Sequence, residues 1–509
     1  MENPIKRLLG QTAVYGLTVI LGRALNFLLV PLYVSVFADP KDYGVVSILY
    51  AWVAFLIVLL PLGMETAFFK FINDNKEKKD SIFQNSFLSV VGFNSFFLLI
   101  TILFSSKIAN WMLLPEHPEY IILLALIVCI DAISALPLAK LRSENQAKRF
   151  ATIQFSSIMV NIFFNVILLL FFFDNSNPHQ GILFILISNL LSSLVKPLFV
   201  YKDLLKIRFE LDFALIKMMM IYSIPLVLAG FAGIINETID RILLHNILYE
   251  THLAAIPPTL DAEKNSIAYA EGQVGIYSAC YKLAMLVTIF LQAYRYAAEP
   301  FFFSNSQNVD RNKLYTKVMN YLIAALCVVF LGVSLNLQIF KYFIPNELYW
   351  EGLKAVPILL LANIFLGIYF NQSIWYKLSG QTKFGAYIAV AGAIITIGIN
   401  VLFIPKFGYM ASAWATMIVY AFQMIASYLL GQKYYPIKYN IRKFGLYLGV
   451  ALMLFFILKT IAINDGFVQF VIHNITILIF IILIYSLEKP NKKINKKPDK
   501  EEVKIYTTD

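Results

Sequence analysis

Apolar residues in this chain fall in long, nearly unbroken runs, and the polar and charged residues collect in short stretches between them. Reading those runs gives 14 candidate spans, at about 9–37, 43–69, 81–104, 120–139, 150–173, 181–201, 215–248, 273–303, 315–340, 353–375, 385–404, 410–430, 443–461 and 468–487. A helix needs about 20 mostly apolar residues to cross a bilayer, and these runs meet that length. Backbone groups in lipid must be satisfied internally, and no alternating ten-residue pattern suggests a barrel, so the pattern predicts helices. The expected fold class is an all-α polytopic membrane protein of about 14 transmembrane helices. The first run, from Leu8 to Phe37, is too long for a signal-peptide core and lacks a small-residue cleavage site, so it counts as the first span.

Composition supports a bilayer solvent. The 509 residues are 59% hydrophobic and 14% charged, with a mean hydropathy of +0.70, against about 45–50% and about 25% for soluble domains. The formal charge of +11 could indicate nucleic acid, but the basic residues sit in short loops between spans, where they encode topology. With the N-terminus inside, 31 of the 42 Lys and Arg residues fall on the cytoplasmic side and 7 on the outer side. Both termini are therefore expected in the cytoplasm. Cys129, Cys280 and Cys327 all lie in spans and form neither a disulfide framework nor a metal motif. Trp111 and Trp350 read as interfacial belt residues. The segment 249–272 is the longest outer loop and reads as a lid or spacer, and Glu488–Asp509 as a Lys-rich disordered tail.

Spans 7–12 echo spans 1–6. Tyr43-Gly44-Val45-Val46-Ser47 opens span 2, and Val274-Gly275-Ile276-Tyr277-Ser278 opens span 8. Span 2 ends in Glu65-Thr66-Ala67-Phe68-Phe69, and span 8 in Glu299-Pro300-Phe301-Phe302-Phe303. The loops Arg142-Ser143-Glu144-Asn145-Gln146-Ala147-Lys148 and Lys377-Leu378-Ser379-Gly380-Gln381-Thr382-Lys383 follow spans 4 and 10. The offsets stay between 231 and 235, as an ancient duplication predicts. Six helices per half keep both halves in one orientation, a parallel repeat with a cleft between the halves. The expected organisation is an N-lobe at 1–210, a C-lobe at 211–435, helices 13–14 at 436–487 and the cytoplasmic tail at 488–509.

A charge near the bilayer centre costs about 2.5–3.5 kcal/mol on insertion scales and marks a functional candidate. Four cations qualify: Arg23, Arg241, Lys282 and Arg295. Helical spacing offers Glu237–Arg241 and Arg295–Glu299 as ion pairs that cement packing, with Asp240 beside Arg241. Arg23 and Lys282 have no carboxylate at helical spacing in their own span, which favours cations lining a watery cavity. Such residues bind phosphate oxygens, Arg as a fork and Lys as a point charge. Asp131 reads as a lone acid, either a coupling-ion site or a buried neutral carboxyl, and His245 as an interfacial residue rather than a proton relay. Gln154, Ser157, Asn161 and Asn165 form a polar stripe on span 5, which either glues helices together or meets sugar hydroxyls.

These signatures, in their order across the chain, resemble the polysaccharide biosynthesis proteins, the oligosaccharide flippases of the multidrug/oligosaccharidyl-lipid/polysaccharide exporter superfamily. The carrying residues are Tyr15–Pro31 with Gly22-Arg23, Asp42-Tyr43-Gly44, Leu141–Phe150, Ser223-Ile224-Pro225-Leu226, Asp240-Arg241 and Gly275–Ala284. The resemblance implies a MATE-like fold of two six-helix lobes plus two helices. It implies a transporter rather than an enzyme, one that moves an undecaprenyl-diphosphate-linked oligosaccharide to the outer leaflet for cell-surface polysaccharide such as O-antigen. It further implies a bacterial inner-membrane location and a cationic central cavity onto which Arg23, Arg241, Lys282 and Arg295 can be placed. Expected partners are the lipid-linked glycan, membrane lipids and glycan polymerase machinery, with no nucleic acid and no cofactor. Coupling to a proton or sodium gradient is left open by the family, with no clear motif here. Two alternatives remain: a cation-coupled multidrug exporter of the same fold, which would favour an acidic cavity, and a membrane glycan polymerase or ligase. The latter needs acid/base residues in a sizeable outer loop, and 249–272 offers no convincing pairing.

Overall fold

The computed structural model describes residues 16, 18, 20–308, 310–461 and 465–489. The start of the first span and the tail from 490 onward lie outside them. Among the described residues every regular element is a helix. In chain order they are α1 (Ile20–Val36), α2 (Pro40–Asp74), α3 (Lys79–Leu103), α4 (Pro118–Ser143), α5 (Ala147–Phe172), α6 (Pro178–Leu204) and α7 (Phe213–Ala255). There follow α8 (Ala262–Ser304), α9 (Arg311–Leu335), α10 (Glu347–Leu378), α11 (Lys383–Phe407), α12 (Tyr409–Tyr434), α13 (Ile441–Thr460) and α14 (Gly466–Glu488). Among the described residues thirteen are long and apolar enough to span a membrane, and α1 is apolar over its described residues 20–36. The 14 predicted spans therefore each coincide with a helix.

The helix starts follow from local chemistry. Pro40, Pro118 and Pro178 sit in the first turn of α2, α4 and α6, where a missing N–H costs nothing. Asp39, Asp212, Asn440 and Asp465 cap α2, α7, α13 and α14 by accepting backbone N–H groups at 2.8–3.0 Å. Helix α2 breaks between Leu59 and Met64, where Pro61 is followed by Leu62 and Gly63 at φ 55° and 65°. The Asn94 amide of α3 donates to the Leu60 carbonyl at 3.0 Å, beside the break. Bands of exposed apolar side chains, among them Phe163, Phe171 and Leu402, face outward as a lipid solvent requires.

One expectation is overturned. Segment 249–272 is no loop: α7 and α8 run through it, each 43 residues long, and only 256–261 join them. At 1.5 Å per residue each is about 65 Å long, twice the hydrocarbon thickness. They form a hairpin knit by His252, whose Nδ1 lies 3.0 Å from Ser266 Oγ and whose ring stacks on Tyr269. Glu250, Glu263 and Lys264, which made the segment look like a loop, are exposed residues of the two helices, whereas Glu271 is buried.

Packing divides the helices. Helices α3, α4, α5 and α6 pack in succession, and α7, α9, α10, α11 and α12 pack among themselves, with α13 and α14 against α9. Helices α7 and α8 meet α2. The α2–α8 crossing is the closest: a Cβ on Gly44 would lie 1.9 Å from the Glu271 carbonyl oxygen, and one on Gly275 would lie 1.9 Å from that of Pro40. Each glycine of the repeat thus admits the backbone one turn before the other. The second landmark pair is also symmetric. Arg142 pairs with Glu65, and Lys377 pairs with Glu299 at 2.8 Å, so the end of α4 is tied to α2 as the end of α10 is tied to α8.

Candidate functional site

Two adjoining cavities lie beside that crossing. The first, about 410 Å³, is walled by α1, α2, α4, α5 and α6 and lined by Arg23, Asp131, Gln154, Ser157 and Lys196 among apolar residues. The second, about 400 Å³, lies between α1–α2 and α7–α8 and is lined by Glu237, Arg241, Ser278, Tyr281 and Lys282. Asn26, Val46, Tyr50, Asn161 and Asn189 line both, so the two are one space divided by a polar waist. At the waist Asn161 donates to Asn26 at 3.2 Å, and Asn189 donates to the Tyr50 hydroxyl at 2.6 Å.

The charges differ in how well they are compensated. Asp131 is not a lone acid: Lys196 of α6 reaches its carboxylate at 2.7 Å across the first cavity. Lys196 falls inside the apolar run of span 6, and a lysine at such a position is the signal that points to it. Arg241 pairs with its neighbour Asp240 at 2.8 Å rather than with the Glu237 carboxylate; Glu237 gives it only a backbone carbonyl. Asp240, buried, also accepts from the Arg241 backbone N–H and the Tyr277 hydroxyl, and the guanidinium lies over the Tyr281 ring at 4.3 Å. That web fixes Arg241 as an oriented donor on the cavity wall. Among the described residues, Arg23 and Lys282 meet no carboxylate within ion-pair distance, nor does the Glu237 carboxylate meet a cation.

Other predicted residues fall elsewhere. Arg295 lines neither cavity, and its guanidinium lies over the Phe370 ring at 4.3 Å, while Glu299 is taken by Lys377 instead of Arg295. Asn165 is fully buried, accepting from Tyr33 and donating to Asn161, and serves packing. Gln154 and Asn161 do face the cavity. His245 is buried inside the helix bundle rather than interfacial, and the three cysteines are buried and unpaired.

A space of this size, with donors on opposite walls and amides and hydroxyls between them, can hold an anionic group beside a polyhydroxylated one. The family model for "Polysaccharide biosynthesis protein" matches residues 8–306. No curated protein matches the sequence. Among solved structures, a lipid II flippase MurJ in an inward closed conformation superposes with a TM-score of 0.68 at 15% identity, covering 94% of this chain and 99% of that one. An inward-facing multidrug resistance MATE family transporter of the MOP superfamily gives 0.61 at 15% identity, covering 83% and 94%. An outward-facing MATE transporter gives 0.56 at 15% identity, covering 84% and 94%. The fold is that of these transporters rather than of an enzyme, and the chain belongs to the polysaccharide biosynthesis protein family.

Proposed function

We propose that this protein moves an isoprenoid-diphosphate-linked oligosaccharide from the cytoplasmic to the outer leaflet by alternating access between two six-helix groups. The observation that carries this reading is the divided cavity, with Arg23 on one side and Lys282 on the other, neither meeting a carboxylate among the described residues. A diphosphate would bring acceptor oxygens to both and to the oriented guanidinium of Arg241. The waist amides Asn26, Asn161 and Asn189, with Gln154, offer hydrogen bonds to sugar hydroxyls. In this reading the Lys- and Arg-rich loops lie on the cytoplasmic side of a bacterial inner membrane, as the positive-inside rule expects, and the glycine crossing of α2 and α8 would close the outer side. The glycan in this reading is a unit of a surface polysaccharide such as O-antigen, and a proton or sodium gradient would supply the drive.

The test uses purified full-length protein and its Arg23→Gln and Lys282→Gln variants, assayed for binding and flipping of a fluorescent isoprenoid-diphosphate oligosaccharide. Each charge-assisted bond contributes about 1.5–3 kcal/mol, so each variant should weaken binding about tenfold or more while its melting temperature holds. Unchanged binding in two folded variants would overturn the assignment.

A further inference from the structure

Away from the cavity, on the face where α4 and α6 begin, two histidines and a carboxylate converge. His117 precedes Pro118, Glu119 lies in the first turn of α4, and His179 follows Pro178 in the first turn of α6. One nitrogen of each imidazole and one Glu119 oxygen all lie within 4.8 Å of one another. Glu119 Oε1 is 3.0 Å from His117 Nδ1 and 3.6 Å from His179 Nε2. The two rings stack at 4.4 Å. All three side chains are about one-third exposed, so solvent reaches the cluster.

From this geometry we infer that His117, Glu119 and His179 form a site for a divalent transition metal, zinc being the best match. Two imidazole nitrogens and one carboxylate are a ligand set that zinc accepts, whereas magnesium and calcium prefer oxygen alone. Bond lengths of about 2.0–2.2 Å require the ligand atoms to draw in from their present spacing, which small rotations of three partly exposed side chains allow. The open side leaves a fourth position for water.

The surroundings suit a ligand set. Tyr120, buried and next to Glu119, places its hydroxyl 2.6 Å from His179 Nδ1. With Nδ1–H donating to that oxygen, His179 Nε2 is left as the free electron pair aimed at Glu119, the arrangement in which an outer partner fixes the tautomer of a metal-bound histidine. The prolines hold both helix starts at fixed φ, so the ligands rest on firm backbone. Farther along the same helices, Asp131 and Lys196 face the first cavity. A bound ion would join the ends of two helices that wall it.

Full-length protein carrying no histidine tag, stripped with chelator, is titrated with zinc chloride by calorimetry. The expected result is one zinc per chain and a melting temperature that rises with zinc. Glu119→Gln and His179→Gln should abolish both, and Tyr120→Phe should weaken binding about tenfold, in the range of outer-partner losses. Diethyl pyrocarbonate footprinting of the wild type, independent of any variant's folding, should show His117 and His179 protected by zinc, with His252 unchanged. Absence of stoichiometric binding, binding that survives in His179→Gln, or zinc that protects neither His117 nor His179 would each overturn the site.

Discussion

Replacing Gly44 or Gly275 by alanine puts a methyl group 1.9 Å from a backbone oxygen of the opposing helix. The obstacle is backbone in both cases, so no rotamer change relieves it, and the carbonyl must recede by about 1.5 Å to reach the 3.4 Å of ordinary contact. Tyr43, Val46, Val274 and Tyr277 are buried around the crossing, so the whole interface moves with it. Overpacking of this kind costs about 1–3 kcal/mol. If the crossing is the closed outer gate, that cost falls on the closed state alone and shifts the closed-to-open ratio about 5- to 150-fold. The readout is the distance between spin labels at Ala38, just before α2, and Lys264, near the start of α8, both exposed. Labels on Tyr43 or Val274 themselves would disturb the packing they report on. Gly44→Ala and Gly275→Ala should each move the distribution to longer distances, with a larger shift in the double variant and a loss of glycan export. Because the two contacts are reciprocal, the single variants should resemble each other. A folded, monodisperse Gly275→Ala protein with wild-type distances would refute the gate.

Two further outcomes bear on topology and on the cavity charges. Cysteines at Lys148 and Lys383 should react only with reagent on the cytoplasmic side and one at Asp261 only from outside; reversed labelling of either class would overturn the orientation. Lys196→Met leaves Asp131 without its cation, a loss of about 1–3 kcal/mol for a partly exposed pair. Adding Asp131→Leu should restore thermal stability, and equal melting of the single and double variants would show that the pair contributes nothing.

The helices were legible because lipid leaves the chain no alternative: apolar length alone names a span, and all 14 coincide with helices. What was illegible is where the helices extend past the membrane. Hydropathy falls in 249–272 because one side of this hairpin carries exposed polar residues, and the same fall signals a loop or a partly solvated helix. The repeat was legible at its contacts. Gly44 and Gly275 were visible as echoes, and they meet across one crossing; Glu65 with Arg142 and Glu299 with Lys377 were visible as landmarks, and they pair in both halves. Sequence gave no indication that His117, Glu119 and His179 meet, since the stretch between His117 and His179 closes only when α4 and α6 pack.

Charge pairing was the least legible feature, and the reason is geometric. Helical spacing reports which residues share a face of one helix, so it offered Arg295 to Glu299 and Glu237 to Arg241. The actual partners come from a neighbouring helix, Lys377 for Glu299 and Lys196 for Asp131, or from the adjacent residue, Asp240 for Arg241. An acid at a helix interface, buried or half-buried, takes the nearest cation in space, because a long basic side chain can bend to reach it from a neighbouring helix. Subtracting those pairs is what gives the cavity its character. Among the described residues Arg23 meets no carboxylate on the wall built by α1, nor does Lys282 on the wall built by α8, while Glu237 shares the second cavity with Lys282. Under the proposed function these two cations belong to different six-helix groups, one on each side of the polar waist. A diphosphate lying between them would be attracted to both walls at once. Its affinity would then differ between the open and closed arrangements, which is the only way a ligand can shift such an equilibrium.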